Sequence, residues 1–278
     1  MLQVFLTESR RYSTNKIMYT STLHFCLFQS DIRWKAVKEN LRHYSECLDK
    51  LHTKPDVLIF PEMFNTGFAV DTIQLAETID GESVSFLRHC AEKYDTAVIA
   101  SLVLKEKDNY FNSLLWVMPD GQIFRYDKRH LFRMASEEHL FTPGQERLLV
   151  EYKGWKFLPL ICYDLRFPIW SRNARKNNDF LYDCLIYIAN WPSSRMQVFK
   201  TLLSARAIEN QSYAIGVNRV GEDGNGFSYS GNSQIVNPFG VVIQEAASQE
   251  EIISYTLNKE DLDKYRNDFP VSLDWDRI

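Results

Sequence analysis

Two hydrophobic periods alternate along this chain. From Leu23, the stretch LHFCLFQ is apolar over the length of a strand. Trp34, Val37, Leu41, Tyr44, Leu48 and Leu51 then recur at spacings of three and four, the stripe of an amphipathic helix. DVLIFPE follows as a short buried strand, so the chain opens β-α-β. Ser83 to Tyr94 carries a second helical stripe, and TAVIASLVL reads as the next strand. SLLWVMPDGQIFRYDK predicts a hairpin turned at Pro-Asp-Gly, and LLVEYKGWKFLPLI predicts another around Lys153-Gly154. Beyond them come a helix near Pro168, the strand CLIYIAN, a helix from about Met196 to Asn210, the strand SYAIGVN and a hairpin around NPFG. Helices alternating with inserted hairpins imply an α/β fold of mixed sheets faced by helices, two sheets packed together.

Nothing between Ser21 and Ile278 reads as a linker, repeat or low-complexity tract, so residues 21–278 are expected to be one domain. Residues 1–20 differ: a short apolar start is followed by Ser, Thr and basic residues without periodicity. The basic residues follow the apolar patch instead of preceding it, which fits a signal peptide poorly. The stretch reads as a disordered extension or an upstream start ahead of Met18, with a weak transit peptide as the alternative.

Composition narrows the partners. A formal net charge of -4 without a basic stripe gives no footprint for nucleic acid or an anionic membrane, and no apolar run reaches a membrane span. A small-molecule or protein partner is expected instead. The five cysteines are odd in number and lack C-x-x-C spacing, as reduced thiols of a cytoplasmic protein would.

Three expected strands end in reactive residues. Glu62 follows VLIFP, Lys128 follows IFRYD and Cys162 follows FLPLI. Each alone has an ordinary reading: a solvated charge for the first two, a small core hydrophobe for the cysteine. Together they supply what amide hydrolysis needs. A thiol of ordinary pKa about 8.5 must lose its proton to attack, so a carboxylate takes it or a cation stabilises the thiolate. The lysine and a backbone N–H after the cysteine, that of Tyr163, would hold the oxyanion, and Glu62 would return the proton to leaving ammonia. His130 beside Lys128 invites a Cys-His protease reading, but KRHLF offers no third orienting group. The histidines lack H-x-x-x-H or H-x-H spacing, so no metal is expected. GEDGNGFSYSG lacks the Lys-Ser or Lys-Thr of a phosphate-cradling loop.

FPEMFNTGF, YDKRHLFRM and LICYDLRFPIW resemble the three catalytic motifs of the nitrilase, or carbon-nitrogen hydrolase, superfamily in the same order. YIANWP, ARAIENQ and NRVGEDGNGFSYSGNS are similar to stretches of its omega-amidase branch, which hydrolyses 2-oxoglutaramate and related omega-amides. The resemblance covers about residues 22 to 270. It implies a four-layer αββα sandwich, a homodimer, no cofactor, and Glu62, Lys128 and Cys162 as base, oxyanion cation and nucleophile. It also implies a supporting glutamate seven residues before the glycine of a "PG" pair. In EEHLFTPG that glycine is Gly144, which selects Glu137 over its neighbour Glu138. Arg166, four residues past the nucleophile, is the candidate clamp for a substrate carboxylate, against the alternative of a salt bridge to Asp164 or another buried carboxylate. Deaminated-glutathione amidase, N-carbamoyl hydrolase and nitrilase activities share the triad, and a non-catalytic scaffold of the same fold is the reading from another class.

Overall fold

The computed structural model describes residues 10–12, 20–71, 73–177 and 179–276. In the first half of the chain lie β1 (Arg10–Tyr12), β2 (Thr22–Gln29), β3 (Val57–Ile59), β4 (Ala97–Glu106), β5 (Asn109–Val117) and β6 (Ile123–Asp127). Strands β2 to β6 form one sheet in chain order. Glu251–Asn258 pairs antiparallel with β2 at its edge, β2, β3 and β4 run parallel, and β5 and β6 add antiparallel. The second sheet repeats this plan. Its hairpin β7 (Leu148–Tyr152) and β8 (Trp155–Ile161) leads to Cys184–Ile188 and Tyr213–Val217 in parallel, then to Gln234–Val236 and Val242–Glu245.

Residue parity explains the layering. In β2, Leu23, Phe25 and Leu27 face the core between the sheets, while Cys26 and Phe28 pack beneath the helices α1 (Val37–Leu48) and α2 (Glu82–Tyr94). The same split divides Ile99 from Val98 in β4, and Trp116 from Leu115 in β5. Buried on both faces over most of their length, these strands carry apolar side chains at most positions, which is why they read as near-continuous runs. Phe157 of β8 crosses the interface, 4.9 Å from the Trp116 ring and 6.2 Å from that of Phe25. The helix Met196–Asn210 closes the far side by seating Phe199, Leu203 and Ala207, and Gly216 leaves the space its Phe199 and Leu203 fill. The layers are therefore α, β, β, α.

The β7–β8 turn is closed by Lys153 and Gly154, both with positive φ (49° and 84°), as a two-residue hairpin turn requires. The longest elements beyond what periodicity predicted are the strand Glu251–Asn258 and the helix Lys259–Asp268. The strand is an edge with one half-wet face. The helix buries only Leu262 and Arg266, too few positions to make a stripe. In the expected disordered leader, Arg10–Tyr12 forms a strand parallel to Leu148–Val150, on the otherwise free edge that β7 offers. Residues 1–9 and 13–19, Met18 included, lie outside the described residues.

Candidate active site

Glu62, Lys128 and Cys162 follow the ends of β3, β6 and β8, so two come from one sheet and the nucleophile from the other. The structure brings them together with Glu137. Lys128 Nζ donates to Glu62 Oε1 at 2.9 Å and to both oxygens of Glu137, at 3.0 and 2.9 Å. All three side chains are fully buried. Burial opposes the lysine charge, yet Glu137 and Glu62 outweigh it and hold the ammonium pKa above its ordinary value. Burial likewise raises the Glu137 pKa, while Lys128 pulls it back.

Backbone and amide donors complete the cluster. Asn112 Nδ2 donates to Glu62 Oε1 at 2.9 Å and to Glu137 Oε1 at 3.2 Å, and the Phe132 N–H donates to Glu137 Oε2 at 2.6 Å. The Asn190 N–H donates to Glu62 Oε2 at 2.8 Å and its Nδ2 to the Glu62 carbonyl at 2.6 Å. The Glu62 carboxylate is thus fixed from both sheets. Glu137 is the glutamate of the cluster, whereas Glu138 faces Arg133 and His139. Gly144 is needed because a Cβ there would stand 2.0 Å from the Asp127 carbonyl. Its N–H donates to the Lys128 carbonyl at 3.0 Å, pinning the loop after Glu137 to the strand end that carries the lysine.

Cys162 sits where β8 turns into the 3-10 segment Cys162–Arg166, with φ +41°. A left-handed backbone at a non-glycine residue costs roughly 1–2 kcal/mol. It is held by Asp164, whose Oδ2 accepts from the Ile161 N–H at 3.1 Å and the Tyr126 hydroxyl at 2.6 Å. The thiol reaches the Asn190 carbonyl at 3.9 Å. Burial, then Glu62, push its pKa well above an ordinary thiol's, with Lys128 pulling the other way. The resting group is therefore a neutral thiol. Tyr163, next in the chain, is half-buried and meets Phe132 and Phe167 edge-on, with ring centres at 5.0 and 5.1 Å.

His130 does have an orienting group, supplied from a distant part of the chain: its Nδ1 lies 2.7 Å from Asp164 Oδ1. It stacks on Phe167 at 3.8 Å, and among the described residues it makes no hydrogen bond to the Cys162 thiol. Asp164 is thus taken by His130, Tyr126 and Ile161 and does not pair with Arg166. Arg166 lies over the Trp191 ring at 5.1 Å, with no carboxylate within 4 Å among the described residues.

Cys162 and Lys128 open into a cavity of about 300 Å³ whose walls include Phe68, Phe132, Arg166, Trp191, Arg195 and Tyr229. Sequence reasoning missed Asn112, Asn190 and Arg195. An asparagine inside an apolar strand was a readable anomaly for Asn112, and Asn190 stood in the quoted YIANWP. Among the described residues no group of three His, Cys, Asp or Glu side chains could hold a metal ion, and no helix is long and apolar enough to cross a membrane.

Comparison with known proteins adds a family to this geometry. A carbon-nitrogen hydrolase family model matches residues 27–267. Over 261 residues the chain is 45% identical to the omega-amidase YafV of Yersinia enterocolitica, covering 93% of this chain and 98% of that one. The 2-oxoglutaramate amidase of Bacillus subtilis is 32% identical over 249 residues, 88% of this chain and 94% of the relative. Among solved structures, XC1258 of Xanthomonas campestris, described as a CN-hydrolase superfamily protein with an arsenic adduct in its active site, superposes with a TM-score of 0.91. It is 39% identical over 93% of this chain and 99% of its own.

Proposed function

This chain belongs to the carbon-nitrogen hydrolase family and is an amide-hydrolysing enzyme, and from that premise we propose that it releases ammonia from a small carboxylate-bearing omega-amide, of the 2-oxoglutaramate kind, through a thioester on Cys162. The observation that carries the reading is the buried Glu62–Lys128–Glu137 cluster set against the Cys162 thiol at the floor of an open cavity.

Because the thiol is neutral at rest, its proton leaves as the sulfur attacks. Glu62 takes that proton while Sγ bonds to the amide carbonyl carbon. The oxygen of the tetrahedral intermediate gathers negative charge, and Lys128 Nζ with the Tyr163 N–H stabilises it. Glu62 then gives the proton to the departing nitrogen, so that ammonia leaves and a thioester remains. Water attacks the thioester with Glu62 again as base, and the acid and the free thiol are released. Glu137 holds Lys128 in place by its two-oxygen contact. Arg166 takes the substrate carboxylate, supported by the absence of a carboxylate partner among the described residues.

Two copies of the chain pair as a homodimer in this reading. Exposed Ile208, Phe239 and Phe269 support it: Phe239 lies 4.3 Å and Phe269 6.4 Å from the Tyr265 ring, and Gly240 abuts Ile208. The free thiols are in keeping with the cytoplasm.

The test is ammonia release from a panel of omega-amides, N-carbamoyl compounds and nitriles, with and without chelator. We expect turnover of 2-oxoglutaramate and succinamate that chelator leaves untouched and Cys162→Ala abolishes. Arg166→Ala should lose roughly tenfold to 150-fold on these carboxylates and little on an uncharged amide of similar length. Activity that survives in Cys162→Ala, or a panel in which only nitriles or carbamoyl compounds react, would overturn the reading.

A further inference from the structure

The cavity holds a second guanidinium that the reaction steps leave unused. Arg195 stands 5.4 Å over the Phe132 ring, and among the described residues no carboxylate lies within 4 Å of it. It is joined to Arg166 through one residue. Trp191 carries Arg166 over its ring at 5.1 Å and donates from Nε1 to the Arg195 carbonyl at 2.9 Å, while its own N–H is held by Asn218 Oδ1 at 2.7 Å. Asp223 is the one carboxylate among the described residues lining the cavity, and its own loop engages it. Oδ1 accepts from the N–H groups of Asn225 and Phe227 at 2.9 and 3.0 Å, and Oδ2 accepts from the Tyr229 hydroxyl at 2.8 Å. Both arginines are therefore left as donors to a ligand, while the one carboxylate among the described residues lining the cavity is already engaged by its own loop.

Those donors suit one kind of acyl chain. A 2-oxo acid ends in three oxygens, two of a carboxylate and one of a ketone, all acceptors. The matching 2-amino acid replaces the ketone with an ammonium, which has three donors and no acceptor. Resting on the reading above, we propose that Arg195 is a specificity-determining residue, pairing with the 2-oxo oxygen of a substrate whose carboxylate Arg166 holds, and repelling a 2-ammonium in the same place. The enzyme then separates a 2-oxo omega-amide from the amino acid of identical length, although the reacting amide is the same in both.

The experiment compares three five-carbon amides that differ only at carbon 2: 2-oxoglutaramate, glutaramate with a methylene, and L-glutamine. kcat/KM is measured for the wild type, Arg195→Gln and Arg195→Lys. The wild type should rank them in that order, with glutamine at least about a hundredfold behind 2-oxoglutaramate, since a site built for an acceptor leaves its donors unpaired on the wrong group. Arg195→Gln should lose roughly tenfold to 150-fold on 2-oxoglutaramate and far less on glutaramate, and should narrow the gap to glutamine. Arg195→Lys keeps the charge, so it should keep most of the rejection of glutamine while losing part of the preference for the ketone. Turnover of glutaramate shows that a variant is folded, and if Arg195→Gln does not fold, Arg195→Lys carries the comparison. Equal losses on 2-oxoglutaramate and glutaramate, or a wild type that accepts glutamine as readily as 2-oxoglutaramate, would overturn the role of Arg195 and leave the parent reading standing. A wild type idle on all three amides would overturn both.

Discussion

At the scale of single residues, Lys128 has the most at stake. Its ammonium is the sole cation between two fully buried carboxylates among the described residues. Removing it would do more than delete the proposed oxyanion donor, because the two acids are left uncompensated. Lys128→Met should lower kcat by at least about a hundredfold. It should also cost on the order of 3–5 kcal/mol, a Tm drop on the order of 10 °C at neutral pH. The pH dependence has a definite sign. Glu137 already has a raised pKa, and losing the cation raises it further. A raised folded pKa gives stability that is complete below the unfolded carboxylate value of about 4.3 and lost as pH rises through the folded one. Thermal melts should therefore show a deficit that is small near pH 5 and grows toward pH 8. Adding Glu137→Gln should restore part of the Tm and none of the activity; a double variant no more stable than Lys128→Met would show that the charge pair does not set the loss.

Among elements, the strand ends and the turns that follow them set the site. Gly144 ties the loop bearing Glu137 to the end of β6, where an added methyl would meet the Asp127 carbonyl at 2.0 Å. Gly144→Ala should cost roughly 1–3 kcal/mol as overpacking and reduce kcat further by displacing Lys128. Melting and ammonia release measured together check this, and wild-type values for both would sink it. Elements of this kind were legible because their signals are local: β7–β8 at Lys153-Gly154, the helix Met196–Asn210, and the three strands before Glu62, Lys128 and Cys162. Asp164 beside His130 was not legible, since 34 residues separate the partners and only the folded chain joins them. Nor was Asn190 as a clamp on Glu62, which spans 128 residues between the two sheets.

For the molecule as a whole, the apolar group at Ile208, Phe239 and Phe269 lies away from the cavity walls, on the helix Met196–Asn210, the turn before Val242–Glu245 and the end of Lys259–Asp268. Exposed aromatics gathered in this way are unusual on a surface that meets only water. Phe239→Glu with Phe269→Asp should turn a dimer into a monomer by sedimentation velocity while far-UV circular dichroism stays unchanged. A variant that sediments as the wild type does would show that this face does not hold two copies together.

The division of the catalytic groups between the sheets has a consequence for any attempt to cut the chain. A break in the exposed stretch around Gln145 and Glu146 would leave base, cation and second glutamate on one fragment, and nucleophile, Asn190 and both cavity arginines on the other. Under the proposed mechanism each fragment should be chemically mute, and their reunion should restore turnover. Ammonia release would then act as a logical conjunction of two halves, a direct reporter of whether the two fragments have found one another.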